Sequence, residues 1–141
     1  MNEDQEIHYQ LSDEELETQF SQCILNPTYF SHEAHLRLAW IHLKKYGLPK
    51  AIENISSQIK AYAQSLGAND KYHTTLTIAA IKTVQHFMGR SNASNFEGFM
   101  QEFPRLKTNF KDLIASHYKL DIFNSEKART EYVEPDQLSY D

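Results

Sequence analysis

The chain has 141 residues, 40% of them hydrophobic, and it carries a net charge of −5. This size and composition are typical of one globular domain with its own core, and they exclude a disordered chain. The surplus of acidic residues, 19 against 14 basic ones, and the lack of a basic run argue against nucleic-acid binding. Cys23 is the one cysteine and the first residues are polar, so we expect a cytoplasmic protein without disulfides or a signal peptide. No apolar run approaches the roughly 20 residues of a membrane span, so no membrane association is expected.

Residues 1–10 are polar and are predicted to be a flexible N-terminal segment, followed by a single all-α domain over residues 11–141. Ser12 and Glu15 have the spacing of a capping box, in which each side chain bonds the backbone N–H of the other residue. A first helix therefore begins there, and Asn26-Pro27 is expected to end it.

The second helix is predicted over 32–46, between the capping hydroxyl of Ser31 and a left-handed stop at Gly47. Its apolar residues cover most of the circumference, which is typical of a central helix. Pro49 opens a third helix over 49–66, which has one apolar stripe and one polar face.

The fourth helix is predicted over 72–88. Its β-branched residues are typical of strands, but its length and its 3.6-residue period favour a helix. Short helices over 95–103 and 108–118 follow, and the tail from about residue 120 is irregular, with one more helical turn at 125–129. The predicted fold is thus a single-domain, all-α helical bundle.

The connections between the three long helices are short, which makes consecutive helices antiparallel neighbours. The core is therefore expected to run up, down and up, so that the second and fourth helices begin at the same end. His32 and His35 share one face at the start of the second helix, and His73 opens the fourth. The topology therefore predicts that three histidines from two distant segments converge.

Three neutral imidazoles are a familiar ligand set for a divalent metal such as zinc, iron or copper. The predicted metal ligands are His32, His35 and His73, with further positions open to water or substrate. The carboxylates nearest in the chain, any of which would complete the set, are Glu33, Asp70, Glu134 and Asp136.

The same end of the bundle favours anions, because two helix dipoles and unpaired backbone amides point there. A small anionic molecule is the expected partner, and its predicted hydrogen-bond donors are Arg37, Tyr72, Thr75 and Thr77. The dipoles also keep imidazole neutral, so His35 and His73 are the candidate catalytic bases of a metal-free enzyme.

A non-catalytic interaction module, whose histidines only order the helix ends, is the alternative to a small-molecule-binding protein or enzyme. Of the other histidines, His8 and His117 are expected at the surface, and His42 and His86 lie too far along their helices to join the site. The sequence leaves both the oligomeric state and the question of catalysis open.

The segments 30–40 (FSHEAHLRLAW), 71–77 (KYHTTLT) and 133–136 (VEPD) resemble a family of small, uncharacterised helical proteins from bacteria. The resemblance covers most of residues 20–138, and the three motifs occur in the same order. It implies that the three histidines share one site with the tail motif. It implies no activity, and Thr74 stands where family members often have a glutamate.

Overall fold

The computed structural model describes residues 6–68, 72–116 and 125–135. In these ranges the chain is helical and forms no strand, which confirms the prediction of an all-α helical bundle. The α-helices are α1 (Asp13–Ser21), α2 (His32–Tyr46), α3 (Leu48–Ser65), α4 (Thr74–Met88), α5 (Phe96–Glu102), α6 (Arg105–Thr108), α7 (Phe110–Ala115) and α8 (Glu126–Thr130). Two short 3-10 helices, Ile7–Gln10 and Pro27–Tyr29, precede α1 and α2.

Helix α2 is the central element, because it packs against both α3 and α4, which also pack against each other. It begins where the Ser31 hydroxyl accepts the Ala34 N–H at 3.1 Å, and it ends at Gly47, whose φ of 83° suits glycine. Ten of its fifteen residues are buried, as expected for a helix that is apolar nearly all round.

The main core lies between α1, α2, α3 and α4, with α5 closing one side. Phe20, Phe30 and Tyr62 form an aromatic cluster in it, with ring centroids 4.9 to 5.3 Å apart. Such pairs add a specific geometry to the area that they bury. The Tyr62 hydroxyl donates to the Leu25 carbonyl at 2.8 Å, so the buried phenol is satisfied.

Helix α1 ends earlier than predicted, although its capping box between Ser12 and Glu15 forms as expected. It stops at Ser21, because Cys23 adopts a left-handed backbone with φ of 59° and turns the chain. Asn26 then caps the following 3-10 helix instead of ending α1. The Asn26-Pro27 signal therefore marked the start of an element and not the end of one.

The C-terminal part forms shorter helices than predicted. The helix predicted over 108–118 begins only at Phe110, as α7, and residues 117–118 lie outside the described ranges. Helix α6 lies where no helix is predicted. The predicted last turn is α8, which Ser125 caps and which packs along α4. After it, the Thr75 hydroxyl donates to the Glu131 carbonyl at 2.8 Å and accepts the Val133 N–H at 3.0 Å, which fixes the tail on α4.

No helix among the described residues is long and apolar enough to cross a lipid bilayer.

Candidate functional site

His35 is the predicted site histidine that has a buried nitrogen without a partner in the described part of the chain. Its Nε2 is buried and has no hydrogen-bond partner among the described residues, and the Phe30 ring lies 5.7 Å away. Burial, with a smaller contribution from the neighbouring His32, lowers the pKa of His35 to about 4. The imidazole is therefore neutral at pH 7, and its orphaned nitrogen costs roughly 1–3 kcal/mol unless something pairs with it.

His32 lies at the first position of α2 and is held by α6 and α7. Its Nε2 donates to the Leu106 carbonyl at 3.1 Å, and its ring meets the edge of Phe110 at 4.7 Å. Because a carbonyl only accepts, the proton of the neutral ring lies on Nε2 and Nδ1 keeps its lone pair. A backbone carbonyl that orients a histidine in this way is common behind ligand-binding imidazoles, but it also serves purely structural histidines.

His73 caps α4. Its Nδ1 accepts the Leu76 backbone N–H at 3.0 Å, so α4 begins at Thr74 and not at residue 72 as predicted. An accepting Nδ1 places the proton of the neutral ring on Nε2, which is then a donor. To bind a metal through Nε2, His73 would have to move that proton to Nδ1 and give up the cap.

The structure does not assemble the predicted three-histidine ligand set. Among the described residues, the only His, Cys, Asp or Glu trio with ligand atoms within 4.8 Å of one another is Glu6, His8 and Glu33. His32, His35 and His73 do not form such a trio. The physical reason is that His32 turns toward a carbonyl of α6 and His73 turns back to its own helix.

The predicted anion-binding side chains are mostly engaged elsewhere. Arg37 is buried and faces the N-terminal segment, so the prediction that it donates to an anion beside His35 is not supported by its contacts. Thr75 uses its hydroxyl to hold the tail, and Thr77 is buried in α4. Tyr72 is half-buried and packs against the main core.

Sequence reasoning missed a second polar cluster, formed by Glu6, His8, Glu33 and Lys107. The prediction that His8 lies at the surface is wrong, because its side chain is fully buried. Its Nε2 lies 2.9 Å from Glu33 Oε2 and 3.7 Å from Glu6 Oε1. The Lys107 ammonium lies 3.1 Å from Glu6 and 3.5 Å from Glu33, so it bridges the two carboxylates.

Arg37 contacts this cluster through His8. Its Nη1 lies 3.2 Å from His8 Nδ1 and donates to the His8 carbonyl at 2.7 Å, while Nη2 donates to the Leu11 carbonyl and to Asp13, both at 2.8 Å. Since a guanidinium only donates, His8 Nδ1 must accept, and the proton on Nε2 is the one shared with Glu33. Residues 6–10 are therefore anchored to α2, although the sequence placed them in a flexible segment.

Lys107 is paired with both carboxylates of this cluster. Burial alone would raise the pKa of Glu33, but hydrogen bonds from His8 and Tyr9 and the charge of Lys107 outweigh it and hold that pKa below its usual range. A cation could use Glu6, His8 and Glu33 only after Lys107 left and His8 lost its Nε2 proton. We therefore assign the cluster to anchoring the N-terminal segment.

Two open clefts are lined entirely by described residues, and neither contains a predicted site histidine. The larger, of about 340 Å³, lies between α1 and α2, and the Lys44 ammonium covers the face of Trp40 there at 4.7 Å. The smaller, of about 250 Å³, is lined by Tyr9, Arg37 and Phe96, among others. Both clefts lie on the side of α2 where Asp13 pairs with Arg37.

The chain matches no protein-family model, no curated protein and no solved structure. Its function therefore has to be argued from the geometry of its own residues.

Proposed function

We propose that this helical domain binds a small molecule at the beginning of α2, with the His35 imidazole as the polar anchor. The observation that carries the proposal is the buried Nε2 of His35, which no other group in the described chain pairs. Buried polar atoms are rarely left alone in proteins, and those that are often mark functional sites. A ligand that bonds this nitrogen would recover the free energy that the unpaired atom costs.

The surroundings of His35 favour a small polar or anionic ligand with an apolar side. Phe30 lies beside the imidazole as an apolar wall, and it packs in turn on Phe20 and Tyr62. His32, one turn earlier on the same helix, keeps a lone pair on Nδ1. The dipole of α2 favours negative charge at this end of the helix, and a neutral imidazole can donate to an anion or accept from a neutral ligand.

Binding is a better-supported role than catalysis at neutral pH. A general base works best when its pKa lies near the working pH, and burial lowers the pKa of His35 to about 4. A metal-free acid–base enzyme is thus the second candidate, and it requires a substrate that raises this pKa. A divalent metal is a third possibility, with His32 Nδ1 and His35 Nε2 as the nitrogens that remain for it.

The competing role is structural. His32 bonds a backbone carbonyl and His73 bonds a backbone amide, as an interaction module with ordering histidines requires. Neither contact explains the orphaned Nε2 of His35, so we place the binding role on that residue alone.

Side-chain ¹⁵N NMR of the histidines tests the proposal directly. Acetate, inorganic phosphate, acetamide and Zn²⁺ are titrated separately into the wild type, the His35→Phe variant and, as a histidine control, the His86→Asn variant. We expect at least one of the three metal-free probes to shift the His35 Nε2 signal and the signals of the neighbouring His32 in the wild type and in the control. In His35→Phe, the same probe should no longer shift the His32 signals.

Two outcomes would overturn the proposal. If no probe moves the His35 signal and His35→Phe is more stable than the wild type, the residue is structural. If Zn²⁺ binds stoichiometrically and shifts His32, His35 and His73 together, the site is a three-histidine metal site, and the cap of α4 must open to form it.

A further inference from the structure

A second histidine on α2 also has a buried nitrogen without a partner in the described ranges. His42 is 1% exposed, its Nε2 has no hydrogen-bond partner among the described residues, and its Nδ1 lies 3.4 Å from the side-chain nitrogen of Asn54 on α3. Since an amide nitrogen donates, Nδ1 accepts and the neutral ring carries its proton on Nε2. The next proton that His42 takes up must therefore go to Nδ1.

Each helix packed around His42 contributes a polar group. Helix α1 brings Glu17, whose carboxylate accepts from Lys45 Nζ at 2.6 Å and from the Tyr46 hydroxyl at 2.7 Å. Lys45 and Tyr46 belong to α2 itself, and the Tyr46 ring lies 5.3 Å from the His42 ring. Helix α3 brings Asn54. Glu17 is the negative charge that acts on His42, and Lys45 is the positive one.

We propose that protonation of His42 in acid loosens the side-chain contacts that α1 and α3 make with α2. A proton taken from solvent at Nδ1 removes the acceptor that Asn54 uses, which breaks the side-chain bond between α2 and α3. The resulting imidazolium is buried and needs a negative partner, and the Glu17 carboxylate supplies it by turning away from Lys45 and Tyr46. In acid, the exposed hydrogen bonds from Lys45 and Tyr46 to Glu17 are thus replaced by an internal ion pair between Glu17 and His42.

Burial and the neighbouring charges shift the pKa values of both His42 and Glu17. Burial lowers the pKa of His42, Glu17 opposes that effect and Lys45 adds to it, so the imidazole takes its proton only in acid. Burial alone would raise the pKa of Glu17, but the bonds from Lys45 and Tyr46 hold it below its usual range. Glu17 therefore keeps its charge further into acid than an ordinary carboxylate does.

NMR titration of the full chain between pH 7.5 and pH 4.5 tests whether protonation of His42 loosens these contacts. We compare the wild type with Glu17→Gln, which keeps an acceptor for Lys45 but has no charge, and with Lys45→Met, which leaves Glu17 free for His42. The His42 midpoint is expected to fall by roughly half a pH unit or more in Glu17→Gln and to rise by a similar amount in Lys45→Met. In the wild type, the Asn54 amide and Lys45 Nζ signals should move with the same midpoint as His42.

The His42→Asn variant keeps the test decisive, since its amide oxygen can still accept from Asn54 but does not titrate in this range. Its Asn54 and Lys45 signals should lose the acid transition, whereas the His86→Asn control should retain it. The proposal is overturned if the His42 midpoint is the same in Glu17→Gln as in the wild type. It is equally overturned if the Asn54 and Lys45 signals do not follow His42.

Discussion

Two polar groups lie near the first turns of α2, and they differ in how completely their atoms are paired. The anchor cluster of Glu6, His8, Glu33 and Lys107 is closed: each charge meets an opposite charge, and Arg37 fixes the His8 tautomer. Next to it, His35 has a buried nitrogen that pairs with no group in residues 6–68, 72–116 or 125–135. A fully paired buried network mainly fixes one structure, whereas an orphaned atom is a cost that a ligand can remove. The number of histidines in a segment therefore says less about function than the pairing of their nitrogens.

The largest effect on stability is expected from removing the Arg37 guanidinium, which holds the anchor cluster through His8. Arg37→Met leaves the His8 and Leu11 carbonyls and Asp13 without their donor. Removing one partner of a buried charged network typically costs about 3 to 5 kcal/mol, and urea unfolding of the variant measures it. The control is Lys50→Met, which removes an exposed pair with Glu53 and should leave the midpoint unchanged. A loss in Arg37→Met no larger than in this control would show that the cluster does not anchor the N-terminal segment.

The orphaned histidine should dominate the pH dependence of stability. The pKa of His35 is about 4 in the folded protein, against about 6.5 in the unfolded chain. Below pH 6.5 the unfolded state takes up the proton first, so stability falls as the pH drops through this window, by about 3 kcal/mol at pH 4. Urea unfolding at pH 7.5, 6, 5 and 4 should show this loss in the wild type and a smaller loss in His35→Leu. His42→Asn separates the contribution of the other buried histidine, and equal slopes in wild type and His35→Leu would contradict the assignment.

A smaller effect is expected where the tail meets α4, beside the cap that His73 forms. Thr75→Val removes both hydrogen bonds to the tail, the one donated to the Glu131 carbonyl and the one accepted from the Val133 N–H, at nearly constant volume. We expect a loss of about 1 to 3 kcal/mol and faster amide exchange at residues 131–133. Thr75→Ser keeps the hydroxyl and should behave like the wild type. Unchanged exchange in Thr75→Val would mean that the tail is held by α8 alone.

The smallest effect tests whether His73 is a cap or a ligand. His73→Ala removes the acceptor of the Leu76 N–H and should cost about 1 kcal/mol, while His73→Asn restores an acceptor and recovers most of it. Thermal or urea unfolding measures both variants. If His73→Asn is as stable as the wild type but no longer responds to a probe that shifts His35, then His73 also belongs to the binding site.

The long helices could be read from the sequence because their signals are local. Ser31 and Gly47 bound α2 where their types predict, and Ile55, Ile59 and Tyr62 of the predicted apolar stripe are buried in α3, whereas Leu66 of the same stripe is exposed. The errors occurred where tertiary contacts decided the backbone. Cys23 in its left-handed conformation ended α1 early, and α6 formed over Arg105–Thr108, where no helix was predicted.

The candidate site was predictable only in part. The pattern placed His32 and His35 together at the start of α2, and that placement is what the structure has. It gave no signal for His8, because its partners Glu33 and Arg37 lie 25 and 29 residues away and no short motif links them. It also assigned Arg37 to a ligand, although the side chain points to the N-terminal segment.

The sequence by itself determined where the long helices α2, α3 and α4 lie, where the caps of α1, α2 and α5 lie, and that the fold is all-α, since periodicity and capping act within a few residues. Only the tertiary structure decided which imidazole nitrogens are used. His32 meets a carbonyl 74 residues away, His8 meets a carboxylate 25 residues away, and His35 Nε2 meets no partner among the residues that the structure describes. The physical reason is that a hydrogen bond depends on the position and direction of a few atoms, which the packing of distant helices sets.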